Sequence, residues 1–362
     1  MKYIITALLL IISAITASAE SCETDSVIYS DTLLYNNDSI PTQKRPSLIS
    51  RSVDWINNFF MGCDTNYVTP QLYMFTTQAE LSYFHDYYRV TSSTTHNHMT
   101  LQSGNPLVLG GYVYWSILGF GYSVNLDDIG KGSGKTNTNG YRSSFSLNTA
   151  RLCAEIYTFR SGKSAKFTSI SGIESGNRSF SGLNSKCVGI NAQYIFNHKR
   201  YSWPAAFGEN AVQRKKTGSW KLGISYDQMD IEFNRNELPD DISQAIDTTL
   251  LFDRVSYRDY AVSIGYGYNW PFRKNCLLAV SALPCIGYRY SDIQSNKDDK
   301  AILRKISTAL IFRASLFWNN TRYFTGLILD FHFYSYHQKG FELNNNYGTL
   351  KFILGMNFIK KK

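Results

Sequence analysis

The fold is decided by nine residues, Val262-Ser-Ile-Gly-Tyr-Gly-Tyr-Asn-Trp270, in which Val262, Ile264, Tyr266, Tyr268 and Trp270 alternate with Ser263, Gly265, Gly267 and Asn269. A period of two puts every bulky side chain on one face of a strand and every small or polar one on the other. The pattern recurs. Trp220, Leu222, Ile224 and Tyr226 alternate with Lys221, Gly223, Ser225 and Asp227, and similar runs cover Tyr112–Val124, Val188–Phe196 and Leu350–Phe358. A soluble sandwich also alternates, but it turns its apolar face inward onto a second sheet. Here the apolar face ends in aromatics, while the other is rich in Gly, Ser and Asn with isolated charges. That suits an outside that meets lipid around a crowded polar lumen.

Composition agrees. Aromatic residues make up 15% of the chain, there are only 8 Pro, and mean hydropathy is −0.25. A helical membrane protein would be more apolar, whereas a barrel need not be, because half of each strand faces inward. Beyond the N-terminal segment no run of eighteen apolar residues occurs. If the chain enters a membrane, it does so as a closed barrel. The expected fold is all-β, an antiparallel up-and-down transmembrane β-barrel of about 12 strands with a short N-terminal helix.

Strands are expected near 79–91, 107–115, 117–126, 142–159, 164–171, 187–197, 218–230, 254–269, 276–290, 304–318, 321–336 and 347–358. Long connections (92–106, 127–141, 172–186, 231–253, 291–303, 337–346) then alternate with short ones near Ser116, 161–163, 271–275 and 319–320. Bacterial outer-membrane barrels alternate in this way, with both termini on the short-turn side. Residues 198–217 break the rule, being long where a short turn is due.

The N-terminus reads as a signal peptide over 1–19, with Lys2, an apolar run from Tyr3 to Ile15 and the small-residue site Ala17-Ser18-Ala19. Residues 20–46 are polar and aperiodic, a flexible tail. The segment 47–62 carries Ile49, Val53, Ile56 and Phe60 at helical spacing, an amphipathic helix that plugs or caps the barrel end or docks a partner; 63–362 form the barrel domain. Six widely spaced Cys make no disulfide scaffold and contain no C-x-x-C. The net charge of +9 is scattered, apart from Lys360–Lys362, so nucleic acid is not an expected partner. Anionic headgroups or plain solvated loops are the two readings of that charge.

The exceptional stretch runs Phe196-Asn-His-Lys-Arg-Tyr-Ser-Trp-Pro-Ala-Ala-Phe-Gly-Glu-Asn-Ala-Val-Gln-Arg-Lys-Lys-Thr-Gly-Ser-Trp220. It resembles the signature of a Bacteroidetes family known as domain of unknown function 4421. Asp64-Thr-Asn-Tyr67-Val-Thr-Pro70 resembles that family's opening motif, and Gly119-Phe-Gly-Tyr122 and Tyr347–Phe358 are also similar. The resemblance covers roughly residues 60–358; the chain departs from it in continuing past Phe358 and in its long acidic 231–253 loop. It implies export and a barrel-like fold, and no activity or functional residues. The tail triplets at Ser26, Thr32 and Ser39 resemble Asp-Ser/Thr-apolar sites that Bacteroidetes O-glycosylate.

Residues 198–217 mix Lys199, Arg200, Arg214, Lys215 and Lys216 with Tyr201, Trp203 and Phe207. Such a mixture suits a headgroup interface, or the segment folds back and plugs the lumen. By the alternation, Arg151, Glu155, Lys221, Asp227, Arg289, Arg313, Asp330 and Lys351 point inward. They line a pore, hold a catalytic group, or form a salt-bridge network that fills the barrel; the last is the expectation. Gly130-Lys-Gly-Ser-Gly134-Lys135 lacks the spacing and the strand–loop–helix setting of a phosphate loop, and His96-Asn-His98 has no third ligand nearby. No catalytic residue, metal site or cofactor is expected. The expected function is a monomeric, non-enzymatic outer-membrane barrel with a structural or accessory role, in contact with lipid and an envelope or periplasmic protein. The alternatives are a passive pore or small-molecule transporter, an outer-membrane hydrolase, or a periplasmic location.

Overall fold

The computed structural model describes residues 59–92, 94–103, 107–126, 140–161, 165–172, 178–208, 211–247, 250–296, 299–335 and 341–361. The signal segment, the tail with Ser26, Thr32 and Ser39, residues 47–58 of the expected helix and the Gly130–Lys135 loop lie outside them. In chain order the first elements are β1 (Val68–Thr69), β2 (Tyr73–Ser92), β3 (His98–Ser103), β4 (Leu107–Trp115), β5 (Leu118–Asn125), β6 (Tyr141–Asn148), β7 (Leu152–Arg160), β8 (Ala165–Ile170) and β9 (Arg178–Phe180). There follow β10 (Leu183–Ile195), β11 (Val212–Gln213), β12 (Thr217–Phe233), the helix α1 (Asp240–Ala245), β13 (Arg254–Arg273), β14 (Cys276–Asn296), β15 (Asp299–Asn319), β16 (Tyr323–Ser335) and β17 (Phe341–Lys360).

Twelve of these strands, β2, β4–β7, β10 and β12–β17, pair in sequence order, and β17 pairs with β2 to close a barrel. Closure leaves no barrel edge unpaired, which a lipid surround requires. The seam is stitched on both faces. Phe75 stacks on Phe358 at 5.7 Å outside, while Thr76 bonds Asn357 and Lys351 meets Glu80 at 3.5 Å inside. Side-chain exposure fixes the two faces. On β13, Tyr260, Val262, Ile264, Tyr266, Tyr268 and Trp270 are 37–57% exposed, while Asp259, Ser263 and Asn269 are 0–8% exposed. An apolar exterior with a polar buried interior is the reverse of a soluble domain; this is a transmembrane β-barrel. The ten residue-to-residue steps from Tyr260 to Trp270, at about 3.3 Å each and tilted about 40°, span about 25 Å, the height of a hydrocarbon belt.

Short turns at 116–117, 149–151, 274–275 and 320–322 share one end with the beginning of β2 and the end of β17; we call it the turn end, and the other the loop end. The long exception, 196–216 between β10 and β12, falls at the turn end. Two sequence expectations need correction. The run expected as one strand over 142–159 is a hairpin, β6 and β7, joined at 149–151, with Thr149 accepting from Leu152 and bonding back to its carbonyl. Inward positions are even on β6 (Ser144, Ser146, Asn148) and odd on β7 (Cys153, Glu155, Tyr157), a change of parity that no single strand can hold. The expected barrel strand over 164–171 is β8, which pairs with β3 and β9 outside the barrel. The two errors offset, so the count stays at twelve. The expected loop 291–303 is also largely strand, because β14 and β15 run on beyond the belt.

At the loop end β3 pairs with the upper part of β2, then β8 and β9 extend that sheet. Its Met99, Leu101, Phe167 and Phe180 pack with Ile242 of α1, with Ile246 just after it, and with the inward Tyr88, Val90, Cys187, Met229, Ile231, Val255 and Tyr257. An apolar core of the water-soluble kind therefore fills the loop-end mouth against β2, β10, β12 and β13.

Inside the wall, β4 lays Tyr112 over Gly121, its partner on β5, and Tyr114 over Gly119. A Cβ at Gly121 would stand within the Tyr112 ring. Gly121→Val should therefore displace Tyr112 and destabilise the barrel by about 1–3 kcal/mol. A lower temperature for the heat-induced shift in gel mobility would record it; an unchanged transition would show that the ring has free room to move.

Candidate functional site

The turn-end mouth is filled by the segment between β10 and β12. Asn197 anchors its start, accepting from the amides of Arg200 and Tyr201 and donating to Gly218 O at 2.9 Å. Gln213 anchors its end. It accepts from Ser202 N and from Asn269 Nδ2, both at 3.0 Å, and its own amide donates to Arg200 O at 2.7 Å and Lys215 O at 3.0 Å. The two-residue ladder Val68↔Gln213, Thr69↔Val212 ties the segment to the chain that precedes β2. Between the anchors, the tight turn Pro204–Gly208 is buried. Phe207 lies 4.4 Å from the Trp203 ring and packs on three apolar clusters, one joining Tyr201 and Trp203 to Cys153 and Ile195, one joining Ala205 and Ala206 to Leu277 and Ala279, and the wall cluster of Phe317, Phe324, Ile328 and Ile353. Ser315 Oγ donates to Ala206 O at 2.6 Å.

The sequence left two readings of this segment, and its residues divide between them. Tyr201, Trp203 and most of Phe207 are buried in the lumen, while Lys199, Arg200, Arg214, Lys215 and Lys216 stay exposed. Gly267 lets Tyr201 lie against β13, since a Cβ there would meet its hydroxyl. Arg151 is not on a strand face as expected. It sits in the β6–β7 turn, where it meets His198 Nε2 at 2.9 Å. Burial, and next the Arg151 guanidinium, hold the His198 imidazole below its ordinary value.

Above the plug the other seven expected charges face the lumen. The Lys221 ammonium bonds Ser281 and stands 4.4 Å from the Trp203 ring, and Arg313 lies 5.6 Å from the same ring. Arg313 pairs with Asp330 across β15 and β16 at 3.0 Å. Arg289 pairs with Asp259, which also accepts from Ser307 at 2.9 Å. Asp227 accepts from Tyr157, and Lys351 reaches Glu80. Glu155 lines a cavity of about 200 Å³ with Glu80, Arg142, Arg313, Asp330, Lys351, His332 and four tyrosines. At about 30 Å³ per water, it holds a handful of waters. Its three carboxylates stand against three cations, so buried charge is compensated.

Glu80, Asp86, Arg142, Asp259 and His332 are inward groups that the sequence reading missed. The first two and Asp259 share the parity of their strands' small residues, which was signal enough. Arg142 was hidden by the merged β6–β7 hairpin. His332 and Asp330 form a carboxylate–imidazole pair at 3.0 Å. The ring is stacked on Tyr347 at 4.3 Å, and Arg313 holds the same carboxylate; the pair is committed to packing rather than aimed at a free nucleophile. His96 and His98 do not share a strand face. His96 takes a left-handed turn, φ 60°, and His98 bonds Ser169 and Ser171. Cys63, Cys153, Cys187, Cys276 and Cys285 are free thiols.

Two outcomes follow from this geometry. Removing one member of a buried ion pair strands the other. Asp259→Ala should cost about 3 kcal/mol or more in a heat- or denaturant-unfolding series, and Asp259→Ala with Arg289→Met should recover part of it; equal losses would mean that the pair is not the source. His198 titrates lower when docked than when free. Docking is therefore full strength above about pH 6.5 and weakens as pH falls through that value. Amide exchange across 197–208, corrected for intrinsic rate, should rise at about pH 5 in the native chain and stay flat in His198→Gln. Identical protection at both pH values would refute it.

No curated protein matches the chain. Among solved structures, the outer membrane protease OmpT from Escherichia coli is similar at 7% identity and a TM-score of 0.37, covering 78% of this chain and 96% of that one. An outer membrane channel from Pseudomonas putida F1 is similar at 11% identity and a TM-score of 0.32, covering 80% and 98%. The toluene transporter TodX of Pseudomonas putida is similar at 7% identity and a TM-score of 0.27, covering 79% and 90%. Likenesses this distant carry no functional argument. The family described as Domain of unknown function (DUF4421) matches residues 63–358, from the opening Cys63-Asp64 through the plug to the closing strand, and the chain belongs to that family.

Proposed function

We propose that this chain is an exported outer-membrane barrel, delivered by the signal peptide 1–19 of a Bacteroidetes-type bacterium, that works as a non-conducting structural or accessory protein and not as an enzyme. The observation that carries this reading is the plug. Trp203 and Phe207 lie across the turn-end mouth, and Phe207 packs against three apolar clusters that join the plug to the wall. An open pore needs a continuous water path, and this one meets packed apolar side chains at the turn end and an apolar core at part of the loop end. Barrel closure leaves no edge strand in the lipid-facing wall to recruit a second copy, which favours a monomer. Surfaces at the loop end, built from β3, β8, β9 and α1, are then where an envelope partner would be met. A gated channel is the second reading, favoured by the hydrated, charge-balanced cavity above the plug.

Planar-bilayer recording separates the two. The native protein should give no single-channel steps, and Trp203→Ala with Phe207→Ala should give them if the plug is what closes the lumen. Steps from the native protein would overturn the non-conducting reading. Orientation is tested on whole cells. Asp240→Cys at the loop end should react with an impermeant maleimide above the native background, and Lys274→Cys at the turn end should not. The reverse pattern, or labelling of neither in a soluble periplasmic fraction, would overturn the placement.

A further inference from the structure

The net positive charge of the chain is not spread over the barrel. Ion pairs among the described residues fall in two places. Four lie in the lumen, and the pairs Arg178–Asp241, Arg235–Asp253 and Arg254–Asp230 lie at the loop end. The turn end has none. There the five exposed cations of the plug segment are joined by exposed Arg273, Lys274 and Arg322 from neighbouring turns, against Asp64 as the one described acid; Glu209 lies outside the described residues. These cations are positioned. Arg200 and Lys215 stand 5.1 Å and 5.2 Å from the Tyr67 ring, and Arg214 Nε donates to Thr69 Oγ1 at 2.5 Å. They also adjoin the membrane surface. Every described Trp that faces outward (Trp115, Trp220, Trp270, Trp318) sits next to a turn at this end, and Arg273 follows the outward Phe272 while Arg322 precedes the outward Tyr323.

Trp at the interface marks headgroup level, and a cation a few residues beyond it, next to an outward Phe or Tyr, sits at the depth of lipid phosphate. We propose that the turn-end rim is a recognition surface for anionic phospholipid headgroups of the leaflet on that side. It holds the barrel at a fixed depth and one way up. Continuity with the lipid-facing belt favours a lipid over an acidic protein, because the rim cations flank aromatics that already lie in the interface. This inference rests on the membrane reading above, and its test is made on folded barrel in detergent, so a failure to insert is seen separately as absence of the compact, heat-modifiable form.

The folded protein in zwitterionic detergent is mixed with equal phosphatidylglycerol and phosphatidylethanolamine, and retained lipids are counted by native mass spectrometry. A basic residue near an anionic surface contributes a factor of about five. The native protein should retain phosphatidylglycerol at least about tenfold over phosphatidylethanolamine, and the preference should shrink in high salt. Arg273→Gln, Lys274→Gln and Arg322→Gln together should abolish most of it, with heat-modifiable mobility intact. Loop-end Arg178→Gln and Arg254→Gln should leave it unchanged. Equal retention of both lipids, or a preference that survives the triple variant, would overturn the proposal, as would a rim that captures polyaspartate while ignoring phosphatidylglycerol.

Discussion

A ring of twelve strands encloses more space than its own inward side chains can fill. Side chains from distant walls meet in places, as Tyr88 does with Ser185, and the rest of the interior must be occupied by something else or stand open. This chain fills it in layers. The lowest is backbone: the folded-back segment carries Trp203 and Phe207 into the mouth and brings its own buried amides and carbonyls with it. Those groups need partners, and Asn269, Gln213 and Ser315 supply them. The plug then makes the next layer tenable. Lys221 is fully buried, and a buried ammonium left alone is costly; the Trp203 face and the Ser281 hydroxyl receive it. Arg313 shares that ring and pairs upward with Asp330, which pairs with His332. The plug and the charge layers therefore support one another, and neither is a separate ornament on a finished barrel.

What the sequence could disclose follows from the range of each interaction. Alternation is a local property, and it placed ten of the strands and the lipid-facing side correctly in kind. The hairpin at Thr149–Arg151 was lost because its strands are individually regular; only the change of parity between Ser146 and Glu155 reveals a turn. Strand β8 reads as a barrel strand because Ala165 and Phe167 alternate with Lys166 and Thr168 as in a barrel strand, though Ala165 and Phe167 face the loop-end core and not lipid. A period of two says that one face is apolar, and not what that face meets. The plug was visible by its length and its aromatics. Its seat was not, since Leu277, Phe317, Phe324 and Ile353 come together with Phe207 only after the barrel has closed.

The two girdles of the barrel differ in chemistry. Toward the loop end the outward aromatics include Tyr83, Tyr122, Tyr141, Tyr260 and Tyr288 and no described Trp, and beyond them acids stand among the cations, three of them in ion pairs. Toward the turn end the outward Trp residues gather, and among the described residues the charges beyond them are cations in no ion pair, with Asp64 the one acid. A barrel in a symmetric environment would gain nothing by this division, because interfacial attraction does not depend on which rim supplies it. In an asymmetric bilayer the division matters: uncompensated cations gain free energy only beside the leaflet that offers anionic groups, and lose solvation beside one that does not. The lumen's carboxylates and cations nearly cancel, so it exerts little pull toward either side. Among the described residues the excess positive charge is thus concentrated at the one end where its sign can set orientation and depth.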